Sequence, residues 1–150
     1  MMGPLPLWAE VAFAAVEDGT DGTIVVDGVM LGIGLPGQVN EPITWTMERG
    51  HAVKIEGGDD ARRLREVIEG VENADVTGEF AFGVSEVAPF GTPSEKGRVG
   101  TVHFALGDNH RSYPGGQNVS ALHLDGVILN ATLQIVDDGT YIVKDGQWAL

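Results

Sequence analysis

The chain has 150 residues, 43% of them hydrophobic and 21% charged, which is typical of one folded domain rather than of disorder. Its 22 acidic and nine basic residues give a net charge of −13, and a field of that sign repels nucleic acid. The absence of cysteine excludes disulfides and thiolate metal sites and fits a reducing compartment. Because the sequence shows neither a signal peptide nor an apolar run long enough to span a membrane, we expect a cytoplasmic protein without a membrane partner.

Short β-branched and apolar runs separated by Asp-Gly pairs predict β-hairpins in the first part of the chain. Residues 23–26 and 29–33 flank Asp27-Gly28, so we expect them to pair with each other. Residues 43–48 alternate apolar and polar side chains, which predicts a strand with one wet face. Residues 51–56 follow Arg49-Gly50 and are predicted to return beside that strand.

One amphipathic helix is predicted at about residues 59–71. Its apolar residues form a single stripe, made of Ala61, Leu64, Val67, Ile68 and Val71. Asp59 or Asp60 is expected to cap its N-terminus and to place negative charge at the positive end of the helix dipole. Nothing on this helix indicates chemistry, so we interpret it as a packing element.

The second half of the chain continues with strands and two loops. Residues 89–97 and 107–116 are loops by composition, and residues 99–106 are predicted to form a strand between them. Residues 131–136 and 140–144 are predicted to form a hairpin. The pattern predicts an α+β fold, with residues 1–150 as one sheet-rich domain of mostly antiparallel hairpins and one main helix.

Two histidines and an aspartate are the first candidate metal ligands. On a strand, His123 and Asp125 project from the same face and could hold one cation; the alternative is a hydrogen-bonded pair on a surface strand. His103 shares its strand face with Thr101 and Ala105, opposite an apolar face. Two histidines and one carboxylate form a set that holds Zn, Mn, Co or Fe and leaves positions open for water or substrate.

Two carboxylates in apolar surroundings could join them. Glu10 lies in LWAEVAF and Glu79 in TGEFAFG. Burial disfavours an unpaired carboxylate, and either a bound metal or exposure at a strand end would remove that cost. Glu86 is a weaker rival to Glu79.

The segments EKGRVGTVHFALGDN and GGQNVSALHLDGV, followed by a strand–DG–strand close, resemble the C-terminal region of the metalloaminopeptidases of the leucyl aminopeptidase and aminopeptidase T group. The same superfamily includes an iron-dependent dihydroxypyridine ring-cleaving dioxygenase. LPLWAEVAFAAVEDGTDGTIVVDG is similar to the group's LPxGEV segment and the hairpin after it. The resemblance runs from about residue 5 to residue 146 and implies a metal-site domain without the N-terminal α/β domain of the group.

By this resemblance Glu10, Glu79, His103, His123 and Asp125 are metal ligands. In the peptidases, Zn, Co or Mn on these residues would activate a water. In the dioxygenase branch, the two histidines and the aspartate alone would hold Fe(II). The group's tyrosine near the metals corresponds to His110 by position, and Tyr113 is the nearby tyrosine that could take its role.

Three functions stay open at this point. The first is an aminopeptidase-like hydrolase acting on peptide N-termini, with Glu79 as the catalytic base or another carboxylate beside a metal-bound water. The second is an Fe(II) dioxygenase acting on a small aromatic ring. The third is a metal-binding or dimerisation module without turnover. In each case we expect a homodimer, because a sheet-rich domain of this size should leave an apolar face to cover.

Overall fold

The computed structural model describes residues 9–149. These residues form ten strands, one α-helix and one 3-10 helix. In chain order they are β1 (Glu10–Ala14), β2 (Gly22–Val26), β3 (Ile43–Glu48), β4 (His51–Glu56), α1 (Asp59–Ile68), β5 (Thr77–Gly83), the 3-10 helix (Pro93–Gly97), β6 (Val102–Gly107), β7 (His123–Ile128), β8 (Leu133–Gln134), β9 (Tyr141–Lys144) and β10 (Gln147–Trp148). The expected α+β class, with mostly antiparallel strands and one main helix, is confirmed. No helix among the described residues is long and apolar enough to cross a membrane.

The strands form three antiparallel sheets. The largest has the order β1-β5-β6-β7, a second has the order β2-β3-β4, and a small third sheet joins β8, β9 and β10. The main core lies between the first two sheets and α1. Trp45 is fully buried there, next to Leu64 of α1 and Leu106 and Leu124 of the large sheet. Each such buried side chain stabilises the fold by about 1.5–3 kcal/mol, so this layer fixes one face of the large sheet.

The two sheets approach each other closely at Gly126. A Cβ atom added to Gly126 would lie 2.7 Å from Cη2 of Trp45, inside normal van der Waals contact. Glycine is therefore required where β7 crosses the indole. This close contact holds the neighbouring Asp125 on the opposite face of the sheet.

The predicted hairpin of residues 23–26 with 29–33 is wrong. β2 pairs with β3 instead, and Val29 and Met30 make only isolated bridges, to Gln38 and Gly126. The Asp27-Gly28 turn is docked onto β7, because both of its backbone N–H groups donate to the Val127 carbonyl. The turn therefore donates its hydrogen bonds to a strand that is distant in sequence, and it does not close a local hairpin.

Two features of the helix prediction are also corrected. The helix ends at Ile68 rather than near residue 71, with Gly70 at a positive φ of 72°. Gly58 is its N-cap and no side chain caps it, since the Asp60 carboxylate instead accepts hydrogen bonds from the backbone and side chain of Asn40. The acidic first turn is nevertheless present, as expected for the dipole.

The other local predictions agree better with the structure. β3 and β4 form the expected hairpin, and so do β8 and β9. The stretch of residues 89–97, predicted as a loop, contains the 3-10 helix, which begins at Pro93 after an N-cap at Thr92. That short helix proves important for the site.

Candidate metal centre

The five predicted ligands lie together on one face of the large sheet. Glu10 is on β1, Glu79 on β5, His103 on β6, and His123 and Asp125 on β7, so every strand of this sheet contributes. The register places Ala81 opposite His103 and Ala105 opposite Asp125. These alanines are fully buried and small, which leaves room for the longer polar side chains to meet above them.

Glu79 lies at the centre of the cluster and belongs to two groups of potential ligands. Its Oε1 atom is 3.1 Å from Nε2 of His103, which is itself 3.8 Å from Oε2 of Glu10. Its Oε2 atom is 2.8 Å from Nε2 of His123, which is 3.3 Å from Oδ1 of Asp125. Within each group, Glu10–Glu79–His103 and Glu79–His123–Asp125, the ligand atoms lie within 4.8 Å of one another.

The site is deeply buried on one side and open on the other. The side chains of Glu79 and His103 are 0% exposed, whereas His123 is 29% exposed. A ligand entering the site would therefore pass His123. The sheet closes the side of the site where Glu79 and His103 lie. Water or substrate would therefore bind on the side of His123.

Backbone contacts orient His123. Its Nδ1 atom lies 2.7 Å from the carbonyl oxygen of Asp108, so an Nδ1–H group donates there and Nε2 faces the carboxylates. This is the usual way in which a protein fixes the tautomer and ring orientation of a metal-binding histidine.

The charged side chains in the site stabilise one another's ionised forms. The Asp125 and Glu79 carboxylates outweigh the effect of burial and raise the pKa of His123 to about 10. Burial raises the pKa of Glu79 and of Asp125, but the neighbouring imidazoles outweigh it and hold both pKa values below their usual range. Without a metal, the site therefore balances its carboxylates with a protonated His123.

Three buried carboxylate oxygens show that the side chains suit a cation. They have no well-aligned hydrogen-bond donor among the described residues and are Oε2 of Glu10, Oε2 of Glu79 and Oδ1 of Asp125. A buried acceptor left in this state costs about 1–3 kcal/mol. Oε2 of Glu10 and Oδ1 of Asp125 face His103 Nε2, at 3.8 and 4.0 Å. A divalent ion placed among these atoms would remove that cost, and imidazole with carboxylate is a donor set that Fe, Mn, Co and Zn accept.

Lys96 is a member of the cluster that the sequence did not indicate. Its ammonium lies 3.3 Å from Oε1 of Glu10 and 3.4 Å from Oδ2 of Asp125, and its side chain is 16% exposed. Burial lowers the pKa of Lys96, but the Asp125, Glu10 and Glu79 carboxylates outweigh it and raise the pKa overall. Lys96 comes from the 3-10 helix, in a stretch whose composition predicts only a loop, and so no strand periodicity points to it.

Tyr113, rather than His110, reaches the site. The Tyr113 hydroxyl is within hydrogen-bonding reach of Glu79, and burial together with that carboxylate raises its pKa. His110 is exposed. The position expected from the resemblance is therefore shifted by three residues along the loop.

Glu86 does not join the cluster. It is exposed and lines a separate cleft with Arg98 and Trp148. Another polar cleft, of about 370 Å³, is lined by residues such as Glu17 and His51 and includes none of the five candidate ligands. The candidate site is therefore the side-chain cluster, and neither cleft is part of it.

Almost the whole chain matches one known family. The family of NicX, 2,5-dihydroxypyridine 5,6-dioxygenase, matches residues 3–149. The chain belongs to this family. A search of curated proteins gives no match.

Solved structures of the NicX family and beyond share the fold. The 2,5-dihydroxypyridine dioxygenase from Pseudomonas putida KT2440 has a TM-score of 0.76 and 21% identity, covering 97% of this chain and 50% of that chain. AmpT from Thermus thermophilus has a TM-score of 0.71 and 22% identity, covering 94% of this chain and 39% of that chain. The chain thus spans half the length of the dioxygenase. The resemblance to the dioxygenase branch is confirmed, whereas the peptidase branch is supported by the shared fold alone.

Proposed function

We propose that this chain provides the metal centre of an Fe(II)-dependent ring-cleaving dioxygenase that acts on a small hydroxylated aromatic ring of the dihydroxypyridine type. The main support is the NicX family match over residues 3–149, in a chain whose sheet gathers two imidazoles and three carboxylates at one point. The aminopeptidase interpretation, which the sequence favoured, becomes the second candidate.

In this proposal His103, His123 and Asp125 hold the iron. Two histidines and one carboxylate are the usual ligands of non-haem Fe(II) oxygenases. Bound Fe(II) would supply the redox chemistry that allows dioxygen to react with the ring. The remaining steps belong to the protein, which must orient the ring, exclude water and move a proton.

Glu79 is the group best placed to take a proton from the substrate. It is fully buried between the two histidines, with its oxygens 3.1 Å from His103 Nε2 and 2.8 Å from His123 Nε2. A ring hydroxyl entering past His123 would meet this carboxylate, and loss of its proton would make the ring more electron-rich. Tyr113 holds the same carboxylate from the loop side.

The second candidate is an aminopeptidase-like hydrolase acting on peptide N-termini. Glu79 belongs to both ligand groups, as a carboxylate that bridges two metal ions would. In that case Zn, Co or Mn would be held by all five residues and would activate a water. The fold shared with AmpT is the further observation in its favour.

One pair of assays separates the candidates. The full chain is loaded anaerobically with Fe(II), given 2,5-dihydroxypyridine, and then exposed to oxygen while dioxygen uptake and product mass are followed. We expect uptake of dioxygen and a product heavier than the substrate by one dioxygen molecule. The same chain loaded with Zn, Co or Mn is expected to leave leucine p-nitroanilide intact.

Matched variants assign the activity to the site. Asp125→Asn should lower the rate by more than about 100-fold, since even outer partners of metal ligands cost 10–100-fold when removed. Glu86→Gln, at an exposed carboxylate outside the cluster, should leave the rate unchanged. Release of p-nitroaniline without dioxygen uptake would support the hydrolase instead. Metal binding with neither activity would mean a module without turnover and would contradict both candidates.

A further inference from the structure

The ammonium group of Lys96 lies between two carboxylates of the candidate metal site. It is 3.3 Å from Glu10 and 3.4 Å from Asp125, and it is largely buried. We propose that Lys96 supplies the second cation of the site and thereby limits the chain to one metal ion. This inference rests on the proposed metal centre, and it concerns the number of ions rather than the reaction.

The argument follows the individual oxygen atoms. Lys96 contacts Oε1 of Glu10 and Oδ2 of Asp125. The other oxygen of each carboxylate faces the histidines: Oε2 of Glu10 is 3.8 Å from His103 Nε2, and Oδ1 of Asp125 is 4.0 Å from His103 Nε2 and 3.3 Å from His123 Nε2. The two carboxylates are thus divided, with one oxygen of each used by the ammonium and one left for a metal. Two ions, one in each ligand group, would have to share both of these carboxylates with the ammonium.

The charges agree with this division. Glu10, Glu79 and Asp125 supply three negative charges, which one ammonium and one divalent ion neutralise when both histidines are neutral ligands. A second divalent ion beside Lys96 would bring the site to two net positive charges, against one without the ammonium. Excess buried charge is strongly unfavourable, so removal of the ammonium favours entry of a second ion.

The fold holds Lys96 in this position. The neighbouring Glu95 is fully buried, and its carboxylate accepts hydrogen bonds from the backbone of Val29 and Gly91 and from the side chain of Gln38, at 2.6–2.7 Å. The Thr101 hydroxyl lies 3.2 Å from the carbonyl oxygen of Lys96. The 3-10 helix is therefore anchored on both sides of Lys96, and its ammonium is held in the site by a rigid backbone.

Metal stoichiometry tests the proposal. The full chain, freed of metal, is equilibrated with excess Mn(II), passed through a desalting column and analysed by mass spectrometry for metal per chain. Electron paramagnetic resonance then distinguishes isolated Mn(II) from a coupled pair, since ions in two-metal sites lie roughly 3.5–4 Å apart. We expect about one ion in the wild type, about two coupled ions in Lys96→Met, and about one in Lys96→Arg, which keeps the charge.

A surface lysine provides the matched control. Lys54 pairs with Glu56 at 2.9 Å, but both side chains are more than half exposed, so Lys54→Met should leave the stoichiometry at that of the wild type. Lys96→Gln is a second neutral variant in case Lys96→Met does not fold, and circular dichroism checks each protein.

Several results would overturn the proposal. They are two ions in the wild type, two ions in Lys96→Arg, or one ion in folded Lys96→Met or Lys96→Gln. Failure of the proposed function looks different, because it would appear as one bound ion without dioxygen uptake in the Fe(II) assay. The role of Lys96 would stand in that case.

Discussion

Tyr113 and His110 show how a single position in a loop decides what reaches the metal centre. The Glu79 carboxylate and burial raise the pKa of Tyr113, whereas His110 is exposed. Sequence spacing alone could not choose between them, because the backbone path of a loop is not periodic. The choice was made by the loop's own hydrogen bonds, such as that from the Tyr113 N–H to the Asn109 carbonyl.

We predict that Tyr113→Phe weakens the site. Loss of the hydroxyl removes a partner of Glu79, and the loss of such an outer partner costs about 10–100-fold in metal affinity or activity. The measurement is isothermal titration of Mn(II) into the metal-free chain, alongside the dioxygen assay. His110→Ala is the control and should match the wild type. Equal affinity and rate in Tyr113→Phe would remove Tyr113 from the site.

The clustering of the candidate ligands could be predicted where strand periodicity applies. His123 and Asp125 are two residues apart, so one face of β7 presents both, and the apolar alternate positions of β6 turn His103 to the same side. Glu10 and Glu79 were indicated by their apolar neighbours. Lys96 was missed because its position depends on the buried Glu95 and on contacts with distant segments, which no local pattern encodes.

Among the elements, the loop between β6 and β7 carries Tyr113 and is held by Glu17 to the turn that follows β1. Oε1 of Glu17 accepts hydrogen bonds from Nδ2 of Asn109, at 2.9 Å, and from the backbone N–H of Gln117, at 2.7 Å. Burial raises the pKa of Glu17, but these donors outweigh it and lower the pKa below the usual value of 4.5. The ionised form therefore favours the folded loop.

We predict that Glu17→Gln lowers the free energy of unfolding by about 1–2 kcal/mol at pH 7, the size expected for hydrogen bonds to a charged, partly exposed group. Because the pKa of Glu17 is lower in the folded chain, its contribution is present above about pH 4.5 and is lost as the pH falls through the folded pKa. Urea unfolding of both proteins from pH 7 to pH 4 measures the difference, which should shrink at the acid end.

A matched variant provides the control for that prediction. Glu69→Gln changes an exposed carboxylate at the end of α1, so it should show little difference from the wild type at any pH in this range. A Glu17→Gln difference that stays constant with pH would mean that its cause is not the ionised carboxylate.

Elements were predictable where their pairing is local. The β3–β4 and β8–β9 hairpins follow from alternation and turn residues. The pairing of β2 with β3 skips a segment of 16 residues between Val26 and Ile43, and it is chosen by the docking of the Asp27-Gly28 turn on β7. Contacts across that distance in sequence leave no local signal.

In the whole molecule, one face of the large sheet packs on the core and the other carries the candidate ligands. The core face packs around Trp45, so the same four strands position both the core side chains and the candidate metal ligands. The chain spans half the length of the dioxygenase that it resembles, and the activity of that whole protein remains a proposal here. The homodimer expected from the sequence stays a prediction, and exposed Phe13 on the edge strand β1 is one apolar side chain that it could cover.

The most direct test of the account is the Fe(II) content of the full chain after anaerobic loading and desalting. We predict about one ion per chain in the wild type and almost none in His123→Ala or Asp125→Ala, because each variant removes a ligand that faces the same position. Circular dichroism should show that the variants are folded. Full iron in both variants, or none in the wild type, would contradict the metal centre described here.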